Sequence, residues 1–153
     1  MKHALLLAPL LFVTPVLADD DLVWIGNAFD GGASLAFALP ESDYAPLALY
    51  CETGSGMVNV SYSFEPVDAT EGVEVPVLLR AGDIEIAIAM TGARSEMDDL
   101  FILDGTTPMD ARFADLITSR GTLAVVVEDG AEEYDLEGAR EAAQPLLEAC
   151  APQ

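Results

Sequence analysis

Between residues 33 and 104 apolar side chains recur at every second position, and this period constrains the fold more than any other feature of the chain. Leu35, Phe37 and Leu39 share one face of a first predicted strand, and Leu47, Leu49 and Cys51 share one face of the next. Val58, Val60, Tyr62 and Phe64 follow, with Asn59, Ser61 and Ser63 on the opposite side. In the run Val75, Val77, Leu79, Pro76 predicts an edge position or a bulge, because proline has no N–H to give a ladder. Residues 80–83, Arg-Ala-Gly-Asp, read as a tight hairpin turn into Ile84, Ile86, Ile88 and Met90, with Glu85 toward solvent. Phe101 and Leu103 make a further strand, expected to end at Asp104-Gly105. Strands of this kind, joined by short turns, form an antiparallel sheet that must roll up or cover its apolar face to be stable.

The period then changes. Thr107-Pro108-Met109-Asp110 reads as a capping box with proline at the first helical position, followed by Phe113, Leu116 and Ile117 at helical spacing and by Gly121 as a stop. Leu123, Val125 and Val127 alternate again up to Asp129-Gly130, a hairpin signal, with Tyr134 and Leu136 on the return strand. The last segment, LEGAREAAQPLLEAC, predicts a second helix that Pro145 kinks or interrupts. The expected fold is α+β: one domain over residues 19–153, a twisted antiparallel meander or open barrel with two short helices and one disulfide.

Residues 1–18 are expected to lie outside that domain. Lys2 and His3 open the chain, Ala4 to Leu17 are largely apolar, and Val16-Leu17-Ala18 supply small residues before three aspartates, the pattern of a secretory signal peptide cleaved after Ala18. The apolar run is shorter than the roughly 20 residues of a membrane span, and its trailing flank is acidic where a stop-transfer flank is basic. The mature protein is therefore expected in the periplasm or the medium, with no membrane span after cleavage.

Export decides how the two cysteines are read. In an oxidising compartment Cys51 and Cys150, which have no other partners, predict a disulfide. Closing a loop of about 100 residues contributes roughly 4 to 5 kcal/mol by the chain-entropy argument, less any strain. Leu146 and Cys150 lie four apart on one helix face, so Cys51 is the expected sheet-side anchor of the C-terminal helix. A redox-active pair is disfavoured, since there is no Cys-x-x-Cys and no neighbouring cation in sequence to lower a thiol pKa.

Composition excludes several chemistries. Cleavage after Ala18 removes the chain's one lysine and one histidine, leaving Arg80, Arg94, Arg112, Arg120 and Arg140 as its cations and a charge slightly more negative than the −21 of the full chain. Scattered arginines do not make a phosphate-binding surface, so nucleic acid and anionic lipid are not expected partners. Without imidazole there is no Ser-His-Asp or Cys-His device and no common zinc site; without lysine there is no Schiff base and no P-loop. Carboxylate pairs, as in glycosidases and aspartic proteases, are what remain. Residues 52–56, Glu-Thr-Gly-Ser-Gly, resemble an aspartic protease turn only superficially, with Glu52 where the aspartate is needed and no second copy. No acidic stretch has the spacing of a calcium loop. The chain is thus expected to be non-enzymatic, without metal or cofactor, and monomeric through its charge.

The densest acidic stretch is the hairpin carrying Glu128, Asp129, Glu132, Glu133 and Asp135, the candidate binding site for a basic protein or peptide. Crowded like charges on a projecting tip repel one another, and a cationic partner relieves that repulsion. Residues 132–150, EEYDLEGAREAAQPLLEAC, resemble the C-terminal segment of small exported bacterial proteins of the invasion-associated locus B type. The resemblance covers only this C-terminal segment and implies a non-enzymatic periplasmic or surface protein with no assigned catalytic residues. The expected function is that of an exported envelope module that binds or builds. The alternatives are an acidic inhibitor of a basic secreted enzyme such as lysozyme, and a carboxylate-based hydrolase.

Overall fold

A computed structural model describes residues 22–97 and 99–151; the predicted signal peptide lies outside the described residues. The elements in chain order are β1 (Val23–Phe29), β2 (Gly32–Ala38), β3 (Leu47–Glu52), β4 (Met57–Ser63), β5 (Glu74–Ala81), β6 (Ile84–Arg94), β7 (Phe101–Pro108), α1 (Ala111–Ile117), β8 (Thr122–Val127), β9 (Gly130–Asp135), α2 (Ala139–Ala142) and α3 (Gln144–Cys150). The strands form one antiparallel sheet in the order β1-β2-β3-β4-β7-β6-β5-β8-β9, curled into an open half-barrel. Four strands run as a meander. The order then reverses, β4 pairing with β7 and β5 with β8, so that β5, β6 and β7 lie backwards in the middle of the sheet.

The alternation places one apolar row per strand on the inner face. Leu35, Leu49, Val60, Leu103, Met90, Leu79 and Val125 are fully or almost fully buried there, in a single contiguous core. Each side chain of this size contributes about 1.5 to 3 kcal/mol by leaving water. The helices close the face: α2 and α3 pack on β1, β2 and β3, burying Leu146 and Cys150, and α1 packs on β5 and β6, burying Phe113, Leu116 and Ile117. Cys51 and Cys150 are joined in a disulfide with Cα atoms 5.8 Å apart, fixing the end of α3 to β3. The turn after β3 adds a second tie, the Gly54 N–H donating to the Ala149 carbonyl at 2.7 Å.

The structure adds to and corrects the sequence reading at four places. β1 was not expected, because Val23–Phe29 has no clean alternation; it is an edge strand with α2 packed against its face. Gly26 permits that cover, since a Cβ there would overlap the Ala142 carbonyl oxygen. β7 continues past Asp104-Gly105 to Pro108, because Gly105 lies opposite Met90, where a Cβ would come within 2.8 Å of Met90 Cγ. Thr107 is consequently strand rather than cap: Asp110 caps α1, its carboxylate accepting from the Phe113 N–H at 2.9 Å, and α1 ends at a Thr118 cap before reaching Gly121. Pro76 lies in an interior strand, but β5 pairs with β8 only over Leu78–Arg80, so on that side Pro76 faces no ladder partner. Pro145 opens α3 directly after the break at Ala143, the interruption expected of it.

Candidate functional site

The half-barrel does not seal between its edges, β1 and β9. At one end of this seam Trp24 Nε1 donates to the Asp135 carbonyl at 2.6 Å. The rings of Trp24 and Phe37 lie 5.2 Å apart and tilted, and those of Phe37 and Tyr134 5.1 Å apart and tilted, so an aromatic row crosses from β1 through β2 to β9. Such tilted contacts are favoured by the ring quadrupoles.

Beside this row the seam opens into a cleft of 660 Å³. Leu22 and Val23 come from the start of β1, Phe37 from β2, Tyr44 and Pro46 from the loop before β3, and Glu132, Glu133, Tyr134, Asp135 and Glu137 from β9 and its continuation. The loop holding Tyr44 is braced locally: Ser42 Oγ donates to the Leu39 carbonyl at 3.1 Å and accepts from the Tyr44 N–H at 3.1 Å. Three aromatic rings and four carboxylates thus share one concavity, and no arginine is among its lining residues.

On the lining of the cleft the exposed Glu132 meets two phenols. Tyr134 Oη donates to Glu132 Oε2 at 2.5 Å. The Tyr62 side chain, stacked on Phe64 at 5.5 Å, is fully buried; its hydroxyl has Glu132 and Tyr134 within hydrogen-bonding reach, although neither contact has the geometry of a well-formed bond. Burial first, and the Glu132 carboxylate second, push both phenols well above the usual tyrosine range, so both stay neutral and keep their protons.

The five acidic residues predicted as a site divide. Glu132, Glu133 and Asp135 line the cleft. Glu128 is exposed in the turn, and Asp129 beside it accepts the Val67 N–H at 2.8 Å, which ties the loop after β4 to the hairpin. Phe37, Tyr62 and Tyr134 were read only as strand residues, and Tyr44 was not singled out. A signal was present in two of them: Tyr62 and Tyr134 put a hydroxyl at an inward position of an otherwise apolar strand face, where it needs a partner.

Three of the arginines are committed to holding the frame. Arg94 pairs with Glu65, donates to the Asp99 carbonyl at 2.8 Å and lies over the Phe101 ring, joining two loops. Arg112 donates to the Glu85 carbonyl at 3.0 Å, and Arg140 to the Thr118 carbonyl. Among the described residues no group of three carboxylates converges as a metal cage, and no helix is long and apolar enough to cross a membrane. No family model matches the chain, and neither a curated protein nor a solved structure matches it.

Proposed function

We propose that the chain is an exported, non-enzymatic binding module of the bacterial envelope, and that the seam of its half-barrel receives cationic groups of a basic protein or peptide. One observation carries this reading: Glu132, Glu133, Asp135 and Glu137 line the same cleft as Phe37, Tyr44 and Tyr134, with no cation among the lining residues to neutralise them. Carboxylates gathered on a low-dielectric wall focus the field on an approaching cation and speed its encounter, while aromatic faces attract the same charge at short range. The disulfide supports export, as does the signal-like start of the chain. The likeness of residues 132–150 to invasion-associated locus B proteins supports an envelope role.

The test is a titration of the protein, purified from the periplasm or medium, with matched pentapeptides carrying two arginines, two glutamines or two glutamates. The basic peptide alone is expected to bind, more weakly as salt rises through about 0.15 M, where the screening length is about 8 Å. Replacing Glu133 and Glu137 by glutamine is expected to slow its association more than it speeds dissociation. Equal binding, or none, by all three peptides would overturn the reading.

A further inference from the structure

β9 has a neighbouring strand on one side only, β8. Backbone N–H and carbonyl groups along an antiparallel strand point alternately to either side, and three observations agree on which residues of β9 point away from β8. The two-residue turn at Glu128-Asp129 makes Val127 and Gly130 a hydrogen-bonded pair, and the register carries the pairing to Glu132 and Tyr134. The Leu136 N–H continues this series by donating to the Gly121 carbonyl at 2.8 Å. Asp135, of the other series, turns its carbonyl the opposite way to accept from Trp24 Nε1. Ala131 and Glu133 therefore each present an N–H and a carbonyl to the open edge, with no hydrogen-bond partner among the described residues. That edge borders the cleft, which Glu132, Glu133, Tyr134 and Asp135 line from β9.

We propose that the open edge of β9 takes up an extended, basic segment of a partner protein as a tenth strand of the sheet, held by main-chain bonds to Ala131 and Glu133. This rests on the reading of the seam as a cation-binding cleft and names the conformation in which the cations arrive. Strand addition draws its affinity from the main chain and its specificity from alternate side chains. Opposed side chains on neighbouring strands stand about 4.5 to 5.5 Å apart, so every second residue of the segment meets the row of Glu133 and Asp135, and those between meet Glu132. Charge complementarity selects the occupant. β9 carries Glu132, Glu133 and Asp135 and no cation. Like charges opposed on paired strands repel, so a second copy of this edge would set these acids against their own kind, whereas arginine or lysine at alternate positions offsets them. Charged side chains commonly guard an open edge. Here the guard is of one sign, so it keeps out acidic strands and admits a basic one. β1, the sheet's other edge, carries no charged residue and offers no such selection.

The deciding experiment follows amide hydrogen exchange in the whole exported protein, with the diarginine pentapeptide carrying its arginines at the second and fourth positions. The Ala131 and Glu133 amides are expected to exchange rapidly in the protein alone, and about tenfold more slowly with peptide at about ten times its dissociation constant. The Glu132 and Tyr134 amides, which face β8, should exchange slowly in both states. Two further peptides carry N-methyl groups on the main chain, one at the third residue and the other at the second and fourth. A methylated nitrogen has no proton for the edge, and one series of peptide amides faces β9 while the other faces away. One of the two peptides is therefore expected to bind about tenfold more weakly than the parent, and the other as the parent does. The wild-type protein serves throughout, so no outcome depends on how a variant folds. Equal binding by the two methylated peptides, or binding of the parent without protection of Ala131 and Glu133, would overturn the added strand; salt-dependent binding of the parent in that case leaves the cation-binding cleft standing. No binding of the parent would overturn both. A dimer in sedimentation, with Ala131 and Glu133 protected before any peptide is added, would overturn the basic segment in favour of a second copy of the chain.

Discussion

Trp24 Nε1 and the carbonyl of Asp135, 111 positions apart in the chain, are joined by a 2.6 Å hydrogen bond that links the two edge strands of the half-barrel. An open sheet leaves each edge with unpaired backbone groups, and natural proteins cover, bend or cap them. Here α2 packs on the face of β1, and the indole joins β1 to the end of β9. The bond stands beside the cleft, so the geometry of the proposed site depends on it.

Replacing Trp24 by Phe keeps a ring against Phe37 and removes the donor. The variant is expected to lose about 1 to 2 kcal/mol, the cost of leaving a carbonyl unpaired in a partly buried seam. Urea midpoints followed by circular dichroism measure it. In the wild type Trp24 is the only tryptophan, so its emission reports on this seam alone and should shift when the cleft fills.

The disulfide between Cys51 and Cys150 spans 99 positions and holds α3 to the inner face. Replacing both residues by Ala is expected to lower unfolding stability by about 4 to 5 kcal/mol, through the larger entropy of the open unfolded chain. It should also expose the segment around Leu146 to limited proteolysis before the sheet unfolds. Intact mass after alkylation without reduction should show no reactive thiol in the wild type. A double variant as stable as the wild type would mean that packing of Leu146 and Ala143 suffices to seat the helix.

The strands most legible in the sequence were those with one dry and one wet face, because alternation records that asymmetry directly. Ile88, Met90 and Glu85 on β6 are the clearest case. β1 escaped notice for the same reason: its one well-buried residue is Trp24, and its remaining contacts are made through its edge and the backbone at Gly26. The reversed order of β5, β6 and β7 was not legible, since any strand with an apolar face can sit beside any other and the choice is made by distant contacts. In the site, acidity was legible and the pairing with the phenols was not. Glu132 and Glu133 look alike in the sequence, yet only Glu132 lies on the side of β9 where Tyr134 and Tyr62 meet it.

Gly26 offers a test of the helix-to-edge contact. By strand propensity alone alanine should be tolerated in β1 at least as well as glycine. The structure gives the opposite expectation, because a methyl there overlaps the Ala142 carbonyl and must push α2 away from the sheet. Gly26→Ala is expected to cost about 2 to 3 kcal/mol, in the range of overpacked sites. Thermal or urea unfolding, compared with Ala28→Gly on the same strand, separates this clash from a general effect of composition, since Ala28 is exposed.

Buried phenols beside a carboxylate impose a limit at high pH. Tyr62 and Tyr134 are held well above the ordinary tyrosine pKa, by burial first and then by Glu132; Tyr62 and Tyr44 add to the effect on Tyr134. In the unfolded chain each loses its proton near pH 10. Above that pH the unfolded state binds fewer protons than the folded one, so stability, fully present below pH 10, falls as pH rises. The slope is about 1.4 kcal/mol per pH unit for each phenol that titrates only on unfolding, hence about 2.7 for the pair. Urea midpoints at intervals from pH 8 to 11.5 should be flat at first and then fall steeply. Tyr62→Phe should remove about half the slope, with a smaller cost at neutral pH than Tyr134→Phe, since its hydroxyl makes no well-formed hydrogen bond. Tyr134→Phe should remove a similar share of the slope but lower stability at pH 8 by about 1 kcal/mol, because its bond to Glu132 is lost. A wild-type midpoint unchanged up to pH 11.5, or identical slopes in the two variants and the wild type, would show that these hydroxyls reach solvent.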